Sequence, residues 1–310
     1  MNQIEIKGYG TALPAESITL NDQTRYRVSG EETQLTLAVE ACIAALAKAQ
    51  LSIEDIDCIV SASAVPVQPI PCTAALIHER IAMGSDIPAV DINTTCTSFV
   101  TALDTFSYLI DAGRYEKVLI VSSEVGSLGL NPKQKESYEL FSDGAAAFVL
   151  SKSSNSKKGV IYGMQRTWSE GAHATEIRGG LTNLLPRFYT EETHDEYLFD
   201  MKGKQILSLV IKKLPKMMED FYAESQLSID EVDFVIPHQA SRAMPLIMKK
   251  INIPEHKFSN LLVDYGNMVS ASIPFSLCKA LDSGQVKEND VVVLIGTAAG
   301  MTTNILAIRL

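Results

Sequence analysis

Cysteine, tryptophan and positive charge are all scarce in this chain of 310 residues. Its five cysteines (42, 58, 72, 96 and 278) are odd in number and form no CxxC pair. No histidine–cysteine cluster has metal spacing either, which argues against a disulfide framework or a zinc site and predicts reduced thiols in the cytoplasm. Against 37 acidic residues stand only 27 lysines and arginines, a formal charge of −10. That balance excludes broad attraction to nucleic acid or to an anionic membrane and leaves only local basic patches. No apolar run approaches the roughly 18 residues that span a bilayer, and "MNQIEIKGYG" lacks the layout of a signal segment. With 46% apolar residues the chain supports a sizeable core, and its length suits two domain-sized halves.

What is present repeats. "QLSIEDIDCIV" at 50–60 returns as "QLSIDEVDFVI" at 226–236, with five of eleven positions identical and the others mostly acid-for-acid or aliphatic swaps. Each copy follows an amphipathic helical pattern, from Thr33 and from Lys204, the second interrupted by Pro215. Each copy ends in a short β-rich run. Downstream, a helical pattern from Cys96 stops at Gly113, and another from Asn267 stops at Gly284, seventeen residues in both cases. "KVLIVSSE" and "VVVLIG" then read as strands. The alternation predicts an α/β fold with buried sheets. The repeat predicts two halves, 1–155 and 156–310, about a pseudo-twofold axis, with Cys96 and Asn267 at equivalent helix starts.

A cysteine at a helix N-terminus meets unsatisfied N–H groups and the positive end of the dipole, which favour the thiolate. It also needs partners that bind developing negative charge. Of five histidines, His78 falls in a helical run, His173 and His194 in the polar stretch 164–203, and His256 in a loop. His238 alone directly follows a strand, at the carboxyl end where α/β proteins place ligands. Asn267 follows a glycine at a helix start, where asparagine also serves as a plain cap.

In this order, "DINTTCTSF", "PHQASR" and "YGNMVSASIP" resemble the active-site motifs of β-ketoacyl-ACP synthase III-type ketosynthases of the thiolase superfamily. "LFSDGAAAFVL", "IPCTAALIHERIA" and "GTAAGMTTNILAIRL" extend the resemblance over nearly the whole chain, most weakly at 14–32 and 160–203. It implies a thiolase-like fold of two βαβαβαββ halves in a five-layered αβαβα sandwich. It further implies that Cys96 takes an acyl group from a CoA or carrier-protein thioester. Decarboxylative Claisen condensation with a malonyl-type thioester then gives a 3-oxoacyl product. His238 and Asn267 would stabilise the enolate, and the backbone N–H groups of Cys96 and Ala299 would form an oxyanion hole. Ser241 and Arg242 would line the pantetheine tunnel, Ser241 standing where the family commonly has asparagine. Ile70 would reach the partner's acyl pocket in a homodimer. No cofactor is expected beyond the CoA or phosphopantetheine of the substrates. Lys212, Lys213, Lys216, Arg242, Lys249, Lys250 and Lys257 form a candidate patch for an acidic carrier protein.

The segment 14–32 is shorter than the one with which housekeeping members of the resembled family grip the CoA nucleotide and has no tryptophan, leaving Arg25, Tyr26 and Arg27 as candidates. This favours carrier-protein thioesters or a specialised acyl substrate in a fatty-acid or polyketide-type pathway. The insertion around Trp168, including "EIRGGLTNLLPRF", is expected to shape the acyl pocket. A thiolase would need a second cysteine near the C-terminus, which "GTAAGMTT" does not supply. Two alternatives remain: an acyltransferase that passes the acyl group to an alcohol or amine, and a scaffold subunit of a heterodimeric ketosynthase.

Overall fold

The structure, a computed structural model, describes residues 1–310. In the first half the chain runs β1 (Ile4–Ala12), a hairpin of β2 (Ser17–Leu20) and β3 (Gln23–Tyr26), α1 (Gln34–Ala49), β4 (Cys58–Ser61), α2 (Thr73–Ile81) and β5 (Ala89–Asp91). It continues through α3 (Ser98–Asp111), β6 (Lys117–Glu124), α4 (Lys135–Leu140) and β7 (Gly144–Lys152). The second half comprises β8 (Gly159–Thr167), β9 (Thr175–Glu176), β10 (Asp200–Met201), α5 (Gly203–Ser225), β11 (Phe234–Pro237), α6 (Met244–Lys250), α7 (Leu262–Tyr265), α8 (Ser272–Asp282), β12 (Val291–Ala298) and β13 (Thr302–Arg309).

Two sheets follow, with strand orders β1-β7-β6-β4-β5 and β11-β12-β13-β8. Their central strands are buried on both faces and correspondingly rich in Val, Ile, Leu and Ala. Helices α3 and α8 lie between the sheets, α1 and α2 cover the outer face of the first, and α5 and α6 cover the second. The result is a five-layered α/β thiolase-like sandwich. In the second half the strand equivalent to β5 shrinks to one bridge, Val235 to Phe258, so this sheet has four strands. Helix α5 runs unbroken through Pro215, whose missing N–H removes one hydrogen bond from the ladder.

The short repeat marks the end of a helix in both halves. Gln50 (φ 56°) and Gln226 (φ 59°) adopt the left-handed cap conformation, and each is followed by a 3-10 turn. The Ser52 N–H donates to Asp55 Oδ2 at 2.9 Å and the Ser228 N–H to Glu231 Oε2 at 2.8 Å. Either acid closes the turn, so the swap between copies costs nothing locally.

The match at the central helices has a different register from the expected one. Thr94 N–H donates to Ser98 Oγ at 3.0 Å, as Met268 N–H does to Ser272 Oγ at 2.9 Å. Thr95 (φ 52°) and Val269 (φ 49°) both adopt positive φ, and each donates its N–H at 2.8 Å to an Asn Oδ1, of Asn93 and Asn267 respectively. Cys96 is therefore equivalent to Ser270, and Asn267 to Asn93. Helix α8 has 11 residues against 14 in α3. The equal counts of seventeen arise because that shortening cancels a three-residue slip.

Candidate active site

Strand β11 ends at Pro237 and hands the chain to His238, whose N–H continues the sheet by donating to Ile295 O at 2.8 Å. The imidazole is buried, which pushes its pKa down to about 4. Nδ1 is buried without a hydrogen-bond partner, and the residue lines the cavity. The ring is therefore neutral across the physiological range and able to donate one N–H.

Asn267 is fixed through its backbone. Its N–H donates to Leu140 O and its carbonyl accepts from Ser142 N–H, both at 2.9 Å. Its Oδ1 closes the turn into α8, and Nδ2 has only a long contact of 3.5 Å to Ala240 O. The amide NH₂ thus keeps donor capacity for a ligand. Gly266 precedes it at φ 71°, where an added Cβ would come within 2.6 Å of Ser142 Oγ and 2.7 Å of Arg25 Cδ. Glycine is required there by both conformation and space.

Cys96 occupies a single 3-10 turn (Thr95–Thr97) ahead of α3. The backbone amides of Ala299 and of Cys96 itself lie near the sulfur and favour its thiolate. Those donors lower the thiol pKa, but burial, followed by the charge of Glu124, outweighs them and pushes it up to about 12. Burial thus opposes the helix-end depression expected from the sequence, although Cys96 is only half-buried and lines the cavity.

Cys96, His238, Asn267 and Ala299 line one cavity of about 1190 Å³, together with Ser241 and Arg242. Most of its wall is apolar, from the loop after β6, the start of α5 and the turn between β12 and β13. Ile70 lies outside it, 84% exposed on the loop before α2. Of the insertion 164–203, Gly171, Ala174 to Ile177, Phe199, Met201 and Gly203 reach the wall; Trp168 and residues 178–188 do not. Arg178 secures that segment through Glu176, Glu196 and Asp200.

The expected nucleotide-gripping group is not free. Arg25 is fully buried and donates to the backbone carbonyls of Glu139 (2.7 Å), Leu262 (3.0 Å) and Val263 (3.2 Å). Arg27 donates to Tyr138 O at 2.7 Å and lies 4.4 Å over the Tyr138 ring, while Tyr26 stacks on Tyr265. The basic patch is also thinner than its composition suggests. Lys213 pairs with Glu170 and Lys216 with Asp220, both at 2.8 Å, and Lys257 donates to Val232 O. Lys212, Arg242, Lys249 and Lys250 remain exposed.

Sequence reasoning passed over Glu124 and Ser270. Glu124 closes β6, is fully buried, and accepts hydrogen bonds from the Ala64 N–H and the Ser270 hydroxyl. Its signal was a lone acid at the end of the apolar run "KVLIVSSE".

Comparison with known proteins now bears on this site. The family model described as 3-Oxoacyl-[acyl-carrier-protein (ACP)] synthase III matches residues 90–166, and its C-terminal counterpart matches 222–310. A Beta-ketoacyl-[acyl-carrier-protein] synthase III of Clostridium perfringens is 32% identical over 93% of this chain and 88% of its own length. The chain belongs to the β-ketoacyl-ACP synthase III family. The synthase III of Oceanobacillus iheyensis is 30% identical over 99% of this chain and 98% of its own. The crystal structure of the Aquifex aeolicus synthase III superposes with a TM-score of 0.88 at 25% identity, covering 99% of this chain and all of that one. As a member of this ketosynthase III family, the protein is a condensing enzyme of the acyltransferase class, and no helix in it is long and apolar enough to cross a membrane.

Proposed function

We propose that this enzyme loads an acyl group on Cys96 and condenses it with a malonyl-type thioester. The observation that carries this reading is the convergence of Cys96, His238 and Asn267, from three separate elements, on one cavity beside the Ala299 N–H. The Cys96 thiol gives up its proton to solvent, its sulfur bonds to the acyl carbonyl carbon, and the thioester C–S bond breaks with the carrier thiolate leaving and taking up a proton in turn. The Cys96 and Ala299 amides hold the tetrahedral oxyanion. The malonyl thioester then loses CO₂, and the resulting enolate oxygen is held by the neutral His238 N–H and the Asn267 NH₂. The enolate carbon attacks the acyl-cysteine, and the C–S bond breaks to release the 3-oxoacyl thioester and the Cys96 thiolate. No proton is gained or lost over this second stage.

Two observations support a carrier-protein or specialised donor over free CoA: Arg25 and Arg27 are engaged by backbone carbonyls, and Arg242 is exposed beside the cavity. The exposed apolar residues Val65, Val67 and Ile70, beside the edge strand β5, support a homodimer in a fatty-acid or related pathway. The test is intact-mass measurement after incubation with a panel of acyl-CoA and acyl-carrier thioesters. Wild type should gain the acyl mass and Cys96→Ala should not. His238→Ala should load Cys96 but lose 3-oxoacyl product and CO₂ release by about 100-fold or more. Loading with no condensation in the wild type would favour transfer to an alcohol or amine. No loading from any donor would favour the scaffold subunit.

A further inference from the structure

Glu124 is a carboxyl group with no cation beside it, at the end of a strand buried in every residue but Lys117, where an ionised acid is costly. The groups that face it are the amides of Ala64 and Val65 from the loop after β4 and the hydroxyl and amide of Ser270 from the turn before α8, and that turn packs against the turn that carries Cys96. One oxygen takes the Ala64 N–H and the Ser270 O–H, and Oε2 has no hydrogen-bond partner. The pseudo-twofold arrangement makes the placement specific. Strand β12, the counterpart of β6, ends at Ala298 beside Cys96, whereas β6 ends at Glu124 beside Ser270, the counterpart of Cys96. The acid thus stands opposite the nucleophile across the axis, where the other half has alanine.

We propose that Glu124 is a positioning residue of the loading site, whose carboxyl group, held by Ser270 and the loop after β4, sets the reactivity of the Cys96 thiol. Two negative charges close together in a water-poor setting oppose each other, so Cys96 ionises most readily while Glu124 keeps its proton. Burial raises the Glu124 carboxyl to about 7, against the opposing donors, so this exchange falls near neutral pH. Loading consumes the Cys96 thiolate and condensation returns it, so the carboxyl group meets a changing neighbour within each cycle. This inference rests on the reading of Cys96 as nucleophile.

The test is the rate of Cys96 alkylation by iodoacetamide as a function of pH, read by peptide mass on the full-length protein. Free cysteine added to the same mixture is the control for the reagent. In the wild type the logarithm of the Cys96 rate should rise with pH, flatten briefly just above about pH 7 as Glu124 ionises, and then resume its rise along a lower line. In Glu124→Gln it should rise straight through that region and be about threefold faster or more above it, because the thiolate no longer forms against a neighbouring charge. Ser270→Ala removes a bond that favours the carboxylate, so its bend should move to higher pH; it serves if Glu124→Gln does not fold. Superimposable Cys96 profiles in folded variants overturn the proposal. The assay uses no thioester, so failure of condensation and failure of this inference are read separately.

Discussion

His238 shows how one buried side chain links chemistry to stability. Its pKa in the folded protein, about 4, lies below the ordinary 6.5, so the unfolded chain binds the proton first. The stability associated with the neutral ring is therefore complete above about pH 6.5 and is lost as the pH falls towards 4, up to ~3 kcal/mol. Urea denaturation at neutral pH and near pH 4.5 should show a larger drop for the wild type than for His238→Gln, which has no such group to titrate. Equal drops would contradict the buried, neutral imidazole. The same neutrality suits the proposed enolate contact, because it needs an N–H donor and no charge.

At the scale of elements, Arg25 holds the active-site loops to one another. Its guanidinium joins the β2–β3 hairpin to the carbonyls at the ends of α4 and α7, and Gly266 packs against its stem just before Asn267. Its hydrogen-bond acceptors are neutral, and burial, followed by the nearby charges of Arg242 and Arg27, lowers its pKa to about 10, so it still stays charged at neutral pH. Removing it strands several buried carbonyls. Arg25→Ala should lower unfolding stability by ~3 kcal/mol and, by loosening the Asn267 loop, reduce condensation more than loading. Arg25→Lys should recover little, since a point charge cannot reproduce the planar fork. Denaturation curves together with separate loading and CO₂-release assays check both statements.

Over the whole molecule, the two halves share their central core. Phe148 of β7 is fully buried, with its ring centroid 5.1 Å from Phe99 of α3 and 5.9 Å from Tyr9 of β1. The same cluster includes Ile273 and Leu277 of α8 and Leu294 of β12, from the other half. Phe148→Ala should cost ~3–5 kcal/mol, and far- and near-ultraviolet circular dichroism should report one coincident transition in both proteins. Separate transitions would mean that the halves unfold independently. The surface pair Lys48–Asp282, 2.6 Å apart and about half exposed on both sides, adds ~0–1 kcal/mol beside this.

The sequence by itself determined the fold class, the duplication and the three residues to examine at the site. Strand runs, cap glycines and the Gln-Leu-Ser-Ile turns are local signals, written in short-range hydrogen bonds and hydrophobic period. Only tertiary structure decided the register between the halves, because a three-residue slip and a three-residue shortening leave the linear count unchanged. It also decided electrostatics. A helix-start cysteine reads as acidified from its neighbours in sequence, yet burial and Glu124, a residue 28 positions away, reverse the direction. Arg25 likewise looks like a free cation for a nucleotide until packing encloses it. Solvation and like-charge contact depend on what folds around a group, and a linear sequence does not express them.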